Sequence, residues 1–208
     1  DAPRRLTSGT VPEIYPRFTP DGDSVIYSNW SPQSDRIWRV PRAGGPPAPL
    51  TPERNEDDAY ADVSPDGKWL AFARTDANVT RVHVAPLEGG SARPVTTGPS
   101  TSPRWSPDGR WIAYSPERSG SAGVFVVAAD GTNERRLTQK GGWPVWWPDG
   151  TRIAYWSVGP DGNQQIHVIP AGGGTPTTLS QLTFTSSNHL FDISTRGQLL
   201  RTTARHLD

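Results

Sequence analysis

Four charged side chains stand five residues ahead of a glycine: Arg17 before Gly22, Asp62 before Gly67, Arg104 before Gly109 and Asp192 before Gly197. Charges repeated at one register position form either a solvated ring around an axis or a site for a ligand or ion. The acidic run Glu53, Glu56, Asp57, Asp58 lacks the Asp-x-Asp-x-Asp-Gly spacing of a calcium loop and reads as a solvated loop. His83 and His167 share a repeat position with Trp38 and Phe125, which suits packing and not joint metal ligation. No Gly-x-Ser-x-Gly elbow, phosphate loop, His-Glu-x-x-His pair or dinucleotide fingerprint occurs. These residues predict a binding module without catalytic activity, cofactor or metal.

The elements that would carry these side chains announce themselves by turn chemistry. Thr19-Pro20-Asp21-Gly22, Ser64-Pro65-Asp66-Gly67, Ser106-Pro107-Asp108-Gly109 and Trp147-Pro148-Asp149-Gly150 share one corner, with glycines 45, 42 and 41 residues apart. Proline presets φ, aspartate tolerates the third position and glycine takes the left-handed conformation that closes a hairpin. Ser194-Thr195-Arg196-Gly197 is a degenerate fifth copy. A second glycine follows each of the first four by 22 residues, at Gly44, Gly89, Gly131 and Gly172, and predicts a second hairpin per repeat. Leu/Val-Thr segments ending at Thr51, Thr96, Thr138 and Thr183 mark a short outer strand, and Leu6-Thr7 opens the chain with the same element.

Between these markers apolar and polar residues alternate as in half-buried strands. Each unit therefore contains four antiparallel strands, the sequence mark of a β-propeller blade, because one such sheet buries its faces only against its neighbours. The fold class is all-β: about five visible four-stranded blades, expected as a fragment of a six-bladed propeller. One domain spans residues 1–208, with repeats at 8–51, 52–96, 97–138, 139–183 and 184–208, the last completed by 1–7. On this reading residues 1–7 lie beside Gln198–Thr203 and close the ring.

The unit resembles the WD-repeat-like β-propeller repeat of TolB and its relatives, as in Trp105-Ser106-Pro107-Asp108-Gly109-Arg110-Trp111-Ile112-Ala113-Tyr114. The resemblance implies a scaffold that engages a peptide or protein segment, or other domains of a longer protein, in a periplasmic or other extracytoplasmic setting, with the cytoplasm as the alternative. Accessory propellers of prolyl-oligopeptidase-like peptidases share the repeat, and a carbohydrate-binding propeller is a third reading.

Both regular turns of a blade lie on one face, so a local site belongs on the opposite face, where the connecting loops vary in length. Tyr15, Arg17, Tyr60, Asp62, Arg104, Trp143, His189 and Asp192 converge there on the channel mouth, with Glu13, Asp57 and Asp58 nearby. Trp30, Trp143 and Trp156 break the repeat pattern, stand in or beside loops and are candidates for ligand contact, whereas Trp69, Trp105, Trp111 and Trp146 occupy repeat positions expected in the inter-blade core. Lys plus Arg and Asp plus Glu both total 21, so no net basic field attracts nucleic acid. No apolar run is long enough for a membrane-spanning helix.

Overall fold

The structure is a computed structural model and describes residues 4–32, 34–52, 56–116, 122–159, 162–182, 191–194 and 196–201. Strand follows strand with no helix among them. The first sheet contains β1 (Glu13–Phe18), β2 (Ser24–Asn29), β3 (Arg36–Pro41) and β4 (Ala48–Pro49). The second contains β5 (Asp57–Val63), β6 (Trp69–Asp76), β7 (Val79–Pro86) and β8 (Arg93–Pro94). The third is built from β9 (Thr101–Trp105), β10 (Trp111–Ser115), β11 (Phe125–Ala128) and β12 (Arg135–Arg136), and the fourth from β13 (Gly142–Trp146), β14 (Arg152–Val158), β15 (Gln164–Pro170) and β16 (Thr177–Leu182). A two-stranded sheet of β17 (Phe191–Ile193) and β18 (Leu199–Arg201) follows. All pairings are antiparallel between consecutive strands.

The corner sequence holds each blade's first hairpin through side-chain bonds. At Ser64-Pro65-Asp66-Gly67 the Ser64 hydroxyl donates to Asp66 at 2.6 Å and accepts from the Trp69 amide at 2.9 Å, while Asp66 accepts from the Lys68 amide at 3.1 Å. Ser106 and Asp108 repeat this arrangement. Trp147 has no hydroxyl to offer in the fourth blade, and Thr151 supplies both bonds to Asp149 instead. Those bonds hold the Asp66 and Asp149 carboxyls below the usual range.

The Leu/Val-Thr marker also has a structural cause. The buried hydroxyls of Thr51, Thr96 and Thr138 accept from the amides of Ile37, Val82 and Val124, capping the third strand of each blade. The second turn holds as expected at Gly44, Gly89 and Gly131. In the fourth blade the left-handed residue is Gly173, whose amide donates to Pro170, and not Gly172, because β15 runs one residue further before turning.

Successive blades stack through one apolar cluster per interface. Ile26 and Ile37 meet Val63, Leu70 and Phe72 between blades one and two; Val82 and Val84 meet Trp105 and Ile112 between two and three. Val124 and Val126 meet Trp146 and Ile153, and Trp156 and Ile166 meet Phe191, at the next two interfaces. The residue just ahead of the corner faces the preceding blade, which is why Val63, Trp105 and Trp146 are 6%, 7% and 9% exposed. Phe18 holds the same position and is 65% exposed, so no described residue covers the leading face of blade one.

The N-terminal segment shows which element belongs there. Arg93 of β8 donates to the carbonyls of Ala129 and Asp130 in the next blade, and Arg135 of β12 donates to that of Ala171. Arg4 makes the same bond to Ala43 at 3.0 Å and a second to the Arg42 carbonyl. Like its counterparts it stands three residues before a repeat threonine. Residues 4–7 thus occupy the outer-strand position of a blade preceding the first. Their expected pairing beside β18 is not found among the described residues, where the last sheet is β17 and β18 alone and residues 4–7 form no strand. An outer strand pairs with a third strand, and no third strand follows β18 in the described chain.

Candidate binding site at the channel mouth

The innermost strands of the first four sheets, β1, β5, β9 and β13, break register at the same place. The shift falls between Ile14 and Arg17, Ala59 and Asp62, Gly142 and Val145, and opposite Ala113 to Ser115 for β9. One residue inside each break has a left-handed backbone: Tyr15 (φ 56), Tyr60 (φ 58), Ser102 (φ 54) and Trp143 (φ 54). All four stand seven residues before a corner glycine. A bulge re-aims its side chain, and a non-glycine residue at positive φ costs about 1–3 kcal/mol and persists only where its surroundings hold it. The strain repeats on three aromatics and a serine, all at one end of the channel.

The rings meet over the axis. Tyr15 and Tyr60 lie tilted against each other at 34° with centroids 4.2 Å apart and their hydroxyls hydrogen bonded at 3.0 Å. Trp143 closes the group at 6.0 Å from Tyr15 and 5.6 Å from Tyr60, the latter edge to face. Beneath them is a cavity of about 190 Å³ whose wall includes Arg17, Ser102, Arg104, Phe191 and Asp192. All five innermost strands contribute to it.

Below that layer lie the channel charges. Arg17 and Asp192 form an ion pair between the first and fifth sheets. Asp62 accepts from the Trp105 amide at 2.8 Å, and burial pushes its carboxyl up to about 6 against the opposing pull of Arg17. Arg104 and Asp192 also line a second cavity of about 380 Å³, which includes Asp62 and Pro65, Pro107 and Pro148 of three corners, at the other end of the channel. The charged positions of the sequence pattern therefore lie along the axis and are bonded in part.

Tyr15, Arg17, Tyr60, Arg104, Trp143 and Asp192 all line the mouth cavity, and Asp62 lies one layer deeper. His189 lies outside the described residues. Trp156 is not at the mouth: it is 6% exposed within β14 and packs with Val145 and Phe191. Trp156 stands six residues after Gly150, as Ser115 does after Gly109, and pairs with Gly142 on one side and Ile166 on the other, so it lies inside the sheet and not in a loop. Trp30 is exposed but does not line the cavity, and Trp69, expected in the core, is 41% exposed at the corner-side end of β6. Glu13 bonds Thr7, Asp57 accepts from the Asp35 amide, and Asp58 pairs with Arg74; none lines the mouth. Ser102, Pro16, Ala61 and Pro103 joined the site unforeseen. The signal that would have found Ser102 is its offset from Gly109, the same seven residues that relate Tyr15, Tyr60 and Trp143 to their corners.

Residues 95–207 match the family described as the TolB beta propeller domain, more than half of the chain. The chain belongs to the TolB β-propeller family. A Tol-Pal system protein TolB of Anaeromyxobacter dehalogenans is 33% identical over 93 residues, which is 43% of this chain and 21% of that relative. The chain superposes on TolB from Acinetobacter baumannii with a TM-score of 0.81 and 21% identity, over 97% of this chain and 51% of that one. A putative TolB from Agrobacterium tumefaciens gives 0.75 and 23%, over 85% and 69%. At these identities the two structures bear on architecture, and they agree with a chain that comprises part of a TolB-like propeller. The curated match spans about a fifth of that relative's length.

Proposed function

We propose that this TolB-like propeller is a binding scaffold whose channel mouth engages an extended segment of a protein partner in an extracytoplasmic Tol-Pal-type assembly. The observation that carries the reading is the ring of left-handed bulge residues, which points Tyr15, Tyr60 and Trp143 at one mouth. Rigid aromatics at the centre of a concave patch supply much of the energy of protein recognition. A cavity of about 190 Å³ accommodates a side chain or two and falls short of the roughly 300–1,000 Å³ typical of small-molecule pockets. The relative's place in the Tol-Pal system, by its name, supports a protein partner.

The test is selection of binding peptides from a displayed random library, followed by calorimetry with Tyr60→Ala, Trp143→Ala and, as a control away from the mouth, Trp30→Ala. Loss of tenfold or more in affinity with the first two, and none with the third, is the expected result. Unchanged binding in both mouth variants would refute the assignment.

A further inference from the structure

We infer that the segment held at the mouth carries a carboxylate, which pairs with Arg104. This rests on the peptide-binding reading above and names the chemistry of the partner. The other enclosed arginines are committed: Arg17 to Asp192 and Arg74 to both oxygens of Asp58. Arg104 is half-buried on β9 and lines the cavities at both ends of the channel, yet its guanidinium has no hydrogen bond, ion pair or ring partner among the described residues.

A second donor without an acceptor stands two residues away on the same wall. Ser102 is 6% exposed, lines the mouth cavity and has no partner for its hydroxyl. A guanidinium and a hydroxyl, both enclosed and both lacking acceptors, call for a ligand that only accepts. A polypeptide offers two such groups, the backbone carbonyl and the carboxylate; only the carboxylate also answers the guanidinium's charge, and its two oxygens match the arginine fork.

The channel's own carboxylates do not fill this role. Asp192 is bound to Arg17, while Asp62 is turned to the Trp105 amide. The formal sum of Arg17, Arg104, Asp62 and Asp192 is zero, but among the described residues no carboxylate is paired with Arg104, whose own charge is left unmatched. A cationic or purely apolar segment would leave that charge enclosed and unanswered.

The probes are the peptides selected on the full chain, resynthesised in two forms. One keeps its Asp, Glu and terminal carboxylates; the other carries Asn, Gln and a C-terminal amide. Fluorescence anisotropy compares the forms on the wild-type chain, Arg104→Gln and Arg104→Lys, with melting curves to confirm folding. Expected is a preference of tenfold or more for the acidic form on the wild type, a reduced preference with lysine and none with glutamine. Equal binding of both forms to the wild type would overturn the carboxylate inference while leaving peptide binding intact. Absence of any selected binder would remove both.

Discussion

Ser102→Gly should stabilise the chain although it deletes a side chain from an enclosed wall. Ser102 sits at φ 54 within the β9 bulge, and a left-handed L-residue there costs about 1–2 kcal/mol that glycine does not incur. Its buried hydroxyl, lacking a partner, costs a further 1–3 kcal/mol or so. Against this stand roughly 0.5–1 kcal/mol of added backbone entropy in the unfolded chain and about 1 kcal/mol of lost packing. The balance is a gain of about 1–2 kcal/mol, a rise of roughly 3–6 °C in melting temperature for a chain of this size. Urea unfolding followed by tryptophan fluorescence measures it. Ser102→Ala removes the hydroxyl but keeps a Cβ at positive φ, so it should fall short of glycine by about 1 kcal/mol. The same glycine variant should bind peptide more weakly, because the hydroxyl is spent on the ligand. If glycine were neutral or destabilising and no better than alanine, the strain assigned to this ring of residues would be refuted.

Asp58→Asn should cost about 3–5 kcal/mol by thermal or urea unfolding, since it leaves Arg74 enclosed without its bidentate partner, the two side chains being 3% and 10% exposed. Gly109→Val should cost more than about 1 kcal/mol: its φ of +69° strains a β-branched residue even though Pro65 at 3.6 Å leaves room for a Cβ. Asp62 titrates near 6 when folded and near 3.8 when free, so the folded state holds its proton longer and stability falls as pH rises from about 4 to 6. Asp62→Asn should flatten the melting temperature over that window and raise it at pH 7; an unchanged pH profile would show that this carboxyl is not desolvated.

The corners, blade period and third strands were legible because their chemistry is carried by residue type: proline and glycine at the turn, aspartate and serine bonding its amides, threonine capping the third strand. The bulge ring was not, because its left-handed position is occupied by Tyr15, Tyr60, Ser102 and Trp143 and not by glycine, the residue that signals positive φ. Trp156 and Trp69 were misjudged for related reasons. Pairing on both sides, with Gly142 and Ile166, kept Trp156 inside a sheet, while position at a strand's end left Trp69 in solvent. Gly172 and Gly173 are adjacent, and only the length of β15 selects the second. The repeat named residues 1–7 as an outer strand, and the bond from Arg4 to Ala43 agrees for the described part of that segment, whereas its neighbouring strand depended on pairing that local sequence does not encode.

The chain's nine tryptophans give one indole N–H signal each in a proton–nitrogen correlation spectrum, which makes the site directly observable. Assigned by single Trp→Phe variants and titrated with a selected peptide, the Trp143 signal should shift, with Trp30, Trp69 and Trp147 unmoved. A titration that moved Trp69 or Trp147 and left Trp143 in place would put the partner on the corner face and contradict a binding site at the aromatic mouth.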